Sequence, residues 1–206
     1  MPRLAKDSEL PVAITQLRLC SALRHCGRTG VDVALDKSDD ENLYVYDDES
    51  LGYSDWTNVA LAAFLSKAFL ARNPNKNTLV LLPLDGCIIT GTHVIRGGVC
   101  DCALLTDKEL SFVEFKTEVL STNDLTILQR ATEAKNQLWH TYDGIINSGC
   151  KQVGIDISDK VNVDFYIVFD TTLSVTGARA DFQNLQDEFL QDKKSPLYFQ
   201  NSKQFK

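Results

Sequence analysis

Three side chains in two apolar segments have the types and spacing for metal-assisted hydrolysis. Val99-Cys100-Asp101-Cys102-Ala103-Leu104-Leu105 sets one carboxylate in an apolar run, and Leu110-Ser111-Phe112-Val113-Glu114-Phe115-Lys116 adds a second carboxylate and an ammonium two residues apart. The polar stretch Thr106-Asp107-Lys108-Glu109 between them predicts a β-hairpin. A turn centred between Asp107 and Lys108 sets Asp101 directly opposite Glu114, with Cβ atoms about 4.5–5.5 Å apart on one face. Strand alternation puts Lys116 on that same side and sends Val113 and Phe115 to the other, into the core. Opposed carboxylates repel each other unless a cation sits between them. Mg²⁺ or Mn²⁺ held by Asp101 and Glu114 would lower the pKa of a bound water and polarise a phosphate, while Lys116 orients the nucleophile or neutralises charge developing in the transition state. The chemistry expected of such a face is phosphodiester hydrolysis.

Asp101, thirteen positions before Glu114-Phe115-Lys116 and flanked like it by apolar residues, resembles the core motif of the PD-(D/E)xK nuclease superfamily. The resemblance runs roughly from Leu79 to Phe169. It implies an α/β fold with a restriction-endonuclease-like core, a central mixed β-sheet flanked by helices, and the acid and the E-x-K on adjacent strands. It also implies a metal-dependent nuclease, with DNA favoured over RNA as the nucleic-acid partner. In recombination-type members a glutamine on the next helix faces the site. Gln137 is the best match here and Gln129 the second, and the implied role is to orient Lys116 or the nucleophile. Cys100 stands where a proline often precedes the aspartate. The upstream glutamate that many members take from a preceding helix has no counterpart, and Asp85 and Glu49 are substitutes without a spacing argument. That departure favours a rival of another class, a catalytically inactive protein of the same fold serving as an interaction or assembly module.

The elements that must position these residues follow from periodicity. Pro11 to Cys26 leans to helix, Asp36 to Glu41 reads as an acidic turn, and Leu43 to Tyr46 alternates like a strand. Ser54-Asp55 reads as the cap of a helix running to about Arg72, with Val59 to Ala71 as its buried, apolar part. Thr78 to Leu82 is a continuous apolar run fit for a strand covered on both faces, and Cys87 to Thr90 reads as another short strand. Ser121 to Asp124 offers caps for a long helix ending near Gly149, with Leu128, Ala131, Ala134, Leu138, Tyr142 and Ile145 along one stripe. Beside that stripe lie Arg130, Glu133, Gln137 and His140 or Thr141. Val161 to Phe169 forms the next strand, with Val163, Phe165, Ile167 and Phe169 on one face, and a last helix from Ala180 to Gln191 carries Phe182, Leu185 and Phe189. Residues 1–75 are expected to form an amino-terminal extension with flanking helices packed on the core, and residues 76–206 the nuclease-like core, as one structural domain overall.

Composition narrows the class. The 206 residues are 44% hydrophobic and 24% charged, which excludes disordered and low-complexity architectures. The net charge of −7 argues against coating nucleic acid by charge alone and predicts weak, salt-sensitive binding, a need for a partner protein, or a substrate channel with Arg96, Lys116 and Arg130 gathered on one side. The resemblance itself admits a homodimer, since many nucleases of that fold pair up to cut two strands. Six cysteines without a C-x-x-C pair fit a reducing, cytoplasmic setting. No segment has the apolar length of a membrane span, and the first ten residues lack the apolar core of a signal peptide. Zinc is disfavoured, because Cys100 and Cys102 would share the strand face opposite Asp101 and a fourth ligand is missing beside them and His93. The carboxylates of residues 47–49 read as a solvated rim.

Overall fold

The most apolar segments form the middle of the larger sheet. In the computed structural model, which describes residues 10–62, 64–91, 98–121, 123–173 and 178–206, Leu79–Pro83 (β5) and Cys102–Leu105 (β6) are buried at every position, as strands covered on both faces must be. From β6 the chain turns into Glu109–Lys116 (β7). The turn is closed by the Thr106 amide donating to the Glu109 carbonyl at 2.9 Å, and the Thr106 hydroxyl accepts from the Lys108 and Glu109 amides. Asp36–Ser38 (β1), Asn162–Phe169 (β8) and Leu197–Tyr198 (β9) complete a six-stranded mixed sheet in the order β1-β5-β6-β7-β8-β9. It is antiparallel from β1 to β7 and parallel from β7 to β9. Asn42–Asp48 (β2), Tyr53–Thr57 (β3), Phe69–Arg72 (β4) and Ser202–Gln204 (β10) form a second mixed sheet in the order β10-β4-β2-β3, with β10 parallel to β4.

Alternation of side chains divides the core into two layers. One face of the larger sheet presents Ala103, Leu105, Leu110, Phe112, Phe165 and Ile167 to the helices. Its other face presents Leu79, Leu81, Cys102, Leu104 and Val113 to Leu43, Val45, Trp56 and Phe69 of the smaller sheet. Each large side chain so buried contributes about 1.5–3 kcal/mol. The helices are Val12–Gln16 (α1), Leu19–Ala22 (α2), Val31–Ala34 (α3), Asp124–Trp139 (α4), Ser148–Gln152 (α5) and Arg179–Lys193 (α6). A π-helical stretch, His140–Asn147, joins α4 to α5. Asn123 caps α4, its side chain accepting from the Leu125 and Thr126 amides, and Ala131, Ala134, Leu138, Tyr142 and Ile145 are buried along the stripe expected of them. The fold is thus α/β, with two mixed sheets flanked by helices, and no helix among the described residues is long and apolar enough to cross a membrane.

Several expectations are corrected. The helix from Ser54 to Arg72 does not form: its ends are strands β3 and β4, and the described residues between them form loop and turns in which Val59, Leu61 and Leu65 are exposed. The alternating burial of Ser54 and Trp56 in β3 and of Phe69 and Ala71 in β4 lets both strands pair into one sheet with β2. Long-range pairing thereby overrides the helix propensity of an Ala- and Leu-rich segment. The acidic turn at Asp36 begins as a strand, β1, and Cys87 to Thr90 is a turn region with a single bridge from Asp85 to Ile89. The first helical segment is broken at Arg18, whose φ of 51° separates α1 from α2. Strand β6 starts at Cys102, so residues 99–101 precede it, and Cys100 and Cys102 pack in different core layers instead of sharing a face.

Candidate active site

The β6–β7 register brings the acidic pair together. Cys102 opposes Val113 and Leu105 opposes Leu110, so one further step sets Asp101 beside Glu114. The ladder stops there and side chains take over its hydrogen bonds. The Asp101 amide donates to Glu114 Oε2 at 3.2 Å, and the Phe115 amide donates to Asp101 Oδ2 at 2.5 Å. Lys116 Nζ donates to Glu114 Oε1 at 2.6 Å. Asp101, Glu114 and Lys116 therefore lie within one hydrogen-bonded chain. Asp101 Oδ1 has no donor among the described residues and belongs to a carboxyl group that lines an open cleft.

Two further loops close on Asp101. Its carbonyl accepts from the amides of Leu84 and Asp85, which brings the Asp85 side chain to the cleft. The end of β2 contributes Asp47 and the turn after it Glu49, and together these groups surround a cavity of about 150 Å³. Gly86 permits this closure. Its φ is +71°, and a Cβ there would lie 2.2 Å from the Gly52 carbonyl oxygen, so only glycine lets the Asp85 loop seat against the β2–β3 turn. On the opposite flank, Thr141 is fully buried; its hydroxyl accepts from the Cys100 amide at 2.8 Å and donates to the Gln137 carbonyl at 2.8 Å. Thr141 thereby ties the chain entering Asp101 to the long helix.

The cleft is short of positive charge. Burial pushes the Asp101 carboxyl well above the usual carboxylate range, and the neighbouring Glu114 charge adds to the effect. Burial likewise pushes Glu114 up to about 7, against the opposing pull of Lys116. Asp85 is raised by burial, and Asp47 by burial and then by the charges of Asp85 and Glu49. Lys116 feels burial in the opposite sense, but the Glu114 charge beside it wins and holds the ammonium above its ordinary range. Carboxylates thus outnumber the cations acting on them among the described residues.

Other expected residues stand elsewhere. The Gln137 side chain packs against Gly98, where a Cβ would meet it at 2.8 Å, and it makes no hydrogen bond to Lys116 or to the acidic pair. Gln129 is exposed and donates to Glu133, which also pairs with Arg130 at 2.8 Å. His140 lines a separate cavity with Trp139 and Phe189 between the long helix and α6. His93 and Arg96 lie outside the described residues. Asp47 and Thr141 are the groups the sequence reading undervalued. Thr141 could have been singled out as the residue one helical turn after Gln137, whereas nothing local marks Asp47.

The donor set fits a hard divalent cation: all oxygens, two of the carboxylates adjacent, and an excess of negative charge. Among the described residues no group of three or more His, Cys, Asp and Glu side chains converges as a metal cage. Two carboxylates with the remaining positions left to water and phosphate is a common arrangement for Mg²⁺. Comparison of the chain with protein-family models, curated proteins and solved structures returns no match.

Proposed function

We propose that this protein is a Mg²⁺- or Mn²⁺-dependent phosphodiesterase with a restriction-endonuclease-like core, cutting nucleic acid and DNA in preference to RNA. The observation that carries this reading is the chain of contacts linking Asp101, Glu114 and Lys116 at the edge of an acidic cleft with too few cations. Asp101 and Glu114 would hold the ion. When bound, the ion would supply an activated water and neutralise charge on the phosphate. Two backbone amides fix the carboxylates' orientation before any ligand arrives. Lys116, held by Glu114 within the same face, would keep its proton and stabilise the charge growing on the phosphoryl oxygens. Gln137 is retained only as a candidate for positioning this machinery through residues 98–101, since its side chain rests on Gly98.

Titration calorimetry with Mn²⁺, combined with cleavage of single- and double-stranded DNA and RNA, tests the proposal. Wild-type protein should bind Mn²⁺ and cut at least one substrate. Lys116→Ala should lower the cleavage rate by about 10²–10³-fold while still binding the ion, and Asp101→Asn should lose both. Wild-type protein that neither binds Mn²⁺ nor cuts would sink the enzyme reading. The unmade metal cage favours the rival, a non-catalytic assembly module, which that outcome would leave standing.

A further inference from the structure

Aromatic pairs in this core meet both edge to face, as Phe112 and Tyr142 do at 62° and Trp139 and Phe189 at 83°, and face to face, as Phe112 and Phe165 do at 16° and Tyr166 and Tyr198 at 28°. Among the described residues only Phe182 stacks on two rings at once. Phe182 of α6 lies nearly parallel to Phe169 at the end of β8, with centroids 5.7 Å apart and planes at 13°, and nearly parallel to Phe199 after β9, at 4.0 Å and 4°. Phe182 is almost wholly buried between its neighbours, while Phe169 and Phe199 are only partly covered. All three line an open cavity of about 650 Å³, the size of a small-ligand site.

The polar lining suits a nucleotide. Gln183 and Gln186 are already engaged, donating to Asp187 and to the Leu197 carbonyl. The side chains of Arg179, Gln200 and Asn201 reach the same cavity and make no hydrogen bond to another described residue. They offer a guanidinium for a phosphate, and amides that both donate and accept for a base edge. The Asp170 carboxylate also lines the cavity, but it is turned to its own loop, accepting from the Thr172 amide and hydroxyl.

Position connects this cavity to the acidic cleft. In the parallel β7–β8 pair Phe169 is the register partner of Lys116, so the two lie on one face about 4.8 Å apart along the hydrogen-bonding direction, at the carboxyl ends of their strands. Ligands of open α/β sheets collect at such ends. We propose that the Phe169–Phe182–Phe199 column, with Arg179, Gln200 and Asn201, is a subsite for one unpaired nucleotide of the substrate. A base seated there extends the column by stacking, which tolerates any base but requires that the base has left its duplex partner. Arg179 takes the adjoining phosphate, supplying local positive charge in a protein whose net charge is −7. The inference rests on the nuclease reading and adds to it that the substrate is single-stranded or frayed next to the scissile bond.

The test separates binding from cutting. Fluorescence anisotropy with a labelled twelve-residue oligo(dT), and with a duplex of about that length, is measured on the full chain in EDTA. Variants are Phe199→Leu, which keeps apolar bulk without a ring face, Arg179→Gln, and Lys116→Ala. Wild type should favour oligo(dT) over duplex, and Phe199→Leu and Arg179→Gln should each weaken oligo(dT) binding by about tenfold, while Lys116→Ala serves in the cutting assay alone. Equal binding by wild type and both subsite variants, or preference for duplex, overturns the subsite, and Arg179→Gln decides alone should Phe199→Leu fail to fold. If the binding pattern holds while no variant or wild type cuts with Mn²⁺, the subsite stands and the nuclease reading falls. Lys116-dependent cutting with no loss of oligo(dT) binding in the two variants overturns only the subsite.

Discussion

At the residue scale, Glu114 is a buried acid with a single ammonium partner, and its protonation couples to folding. Its carboxyl moves from an ordinary 4.5 in the open chain to about 7 in the fold, chiefly through burial, with Lys116 opposing and Asp85 assisting the rise. A raised acid keeps its proton in the folded state over a pH range in which the unfolded chain has lost it. The stabilisation that Glu114 contributes is therefore fully present below 4.5, falls as pH rises towards 7, and is gone above that. Asp101, also raised, acts in the same direction. Glu114→Gln removes the first of these contributions, so the advantage of the variant over wild type should grow by on the order of 3 kcal/mol between pH 4 and pH 8. Urea unfolding across that range in EDTA measures it. A difference independent of pH would mean that Glu114 titrates normally.

The same residues mark what could be read without coordinates. Asp101, Glu114 and Lys116 were legible because a hairpin's register follows from its turn, and the Cys102–Val113 to Leu105–Leu110 pairing is the one a turn centred between Asp107 and Lys108 dictates. Asp47 and Asp85 were not, because the Gly86–Gly52 approach that gathers them is a contact between distant turns and leaves no local pattern.

At the element scale, the long helix does more than cover the sheet. Its middle turns are π-helical, a geometry found mostly at special sites and invisible to a search for 3.6-residue periodicity. Within that stretch the Thr141 hydroxyl satisfies the buried Cys100 amide, which no β-ladder reaches because β6 begins only at Cys102. Strand β8 and helix α6 were legible for the converse reason: Val163, Phe165, Ile167 and Phe169 recur at every second position in one, and Phe182, Leu185 and Phe189 at steps of three and four in the other. β3 and β4 were not, since their inward residues are few and the alanines between them suit a helix equally well. Replacing Thr141 by Val keeps the shape and removes the acceptor. The orphaned Cys100 amide should cost about 1–3 kcal/mol in urea unfolding, and Mn²⁺ affinity should fall with it as residues 99–101 loosen. Unchanged stability would mean that water or another group replaces the hydroxyl.

At the scale of the whole molecule, the carboxyl-terminal strand fastens the two sheets to each other. β10 pairs with β4 in the smaller sheet, and Lys203 projects from it to the larger one, where its ammonium donates to Asp164 at 2.7 Å and to Ser111 at 2.9 Å and lies 3.3 Å from Glu109. The Lys206 amide adds a hydrogen bond to Glu109 at 2.8 Å. The lysine side chain is only 7% exposed, so the carboxylates it serves are poorly reached by water and depend on it. Removing one partner of a buried ion pair costs more than the pair contributes, because the other charge stays behind unpaired. Lys203→Met keeps an unbranched apolar side chain and deletes the charge, which also lies over the Phe205 ring at 4.7 Å, and should lower stability by about 3–5 kcal/mol. Adding Asp164→Asn should restore part of that loss by removing one stranded charge, giving a coupling energy well above zero in a double-mutant cycle. Independent, additive losses in the cycle would mean that the clasp is a surface contact and that the sheets are held by their apolar faces alone.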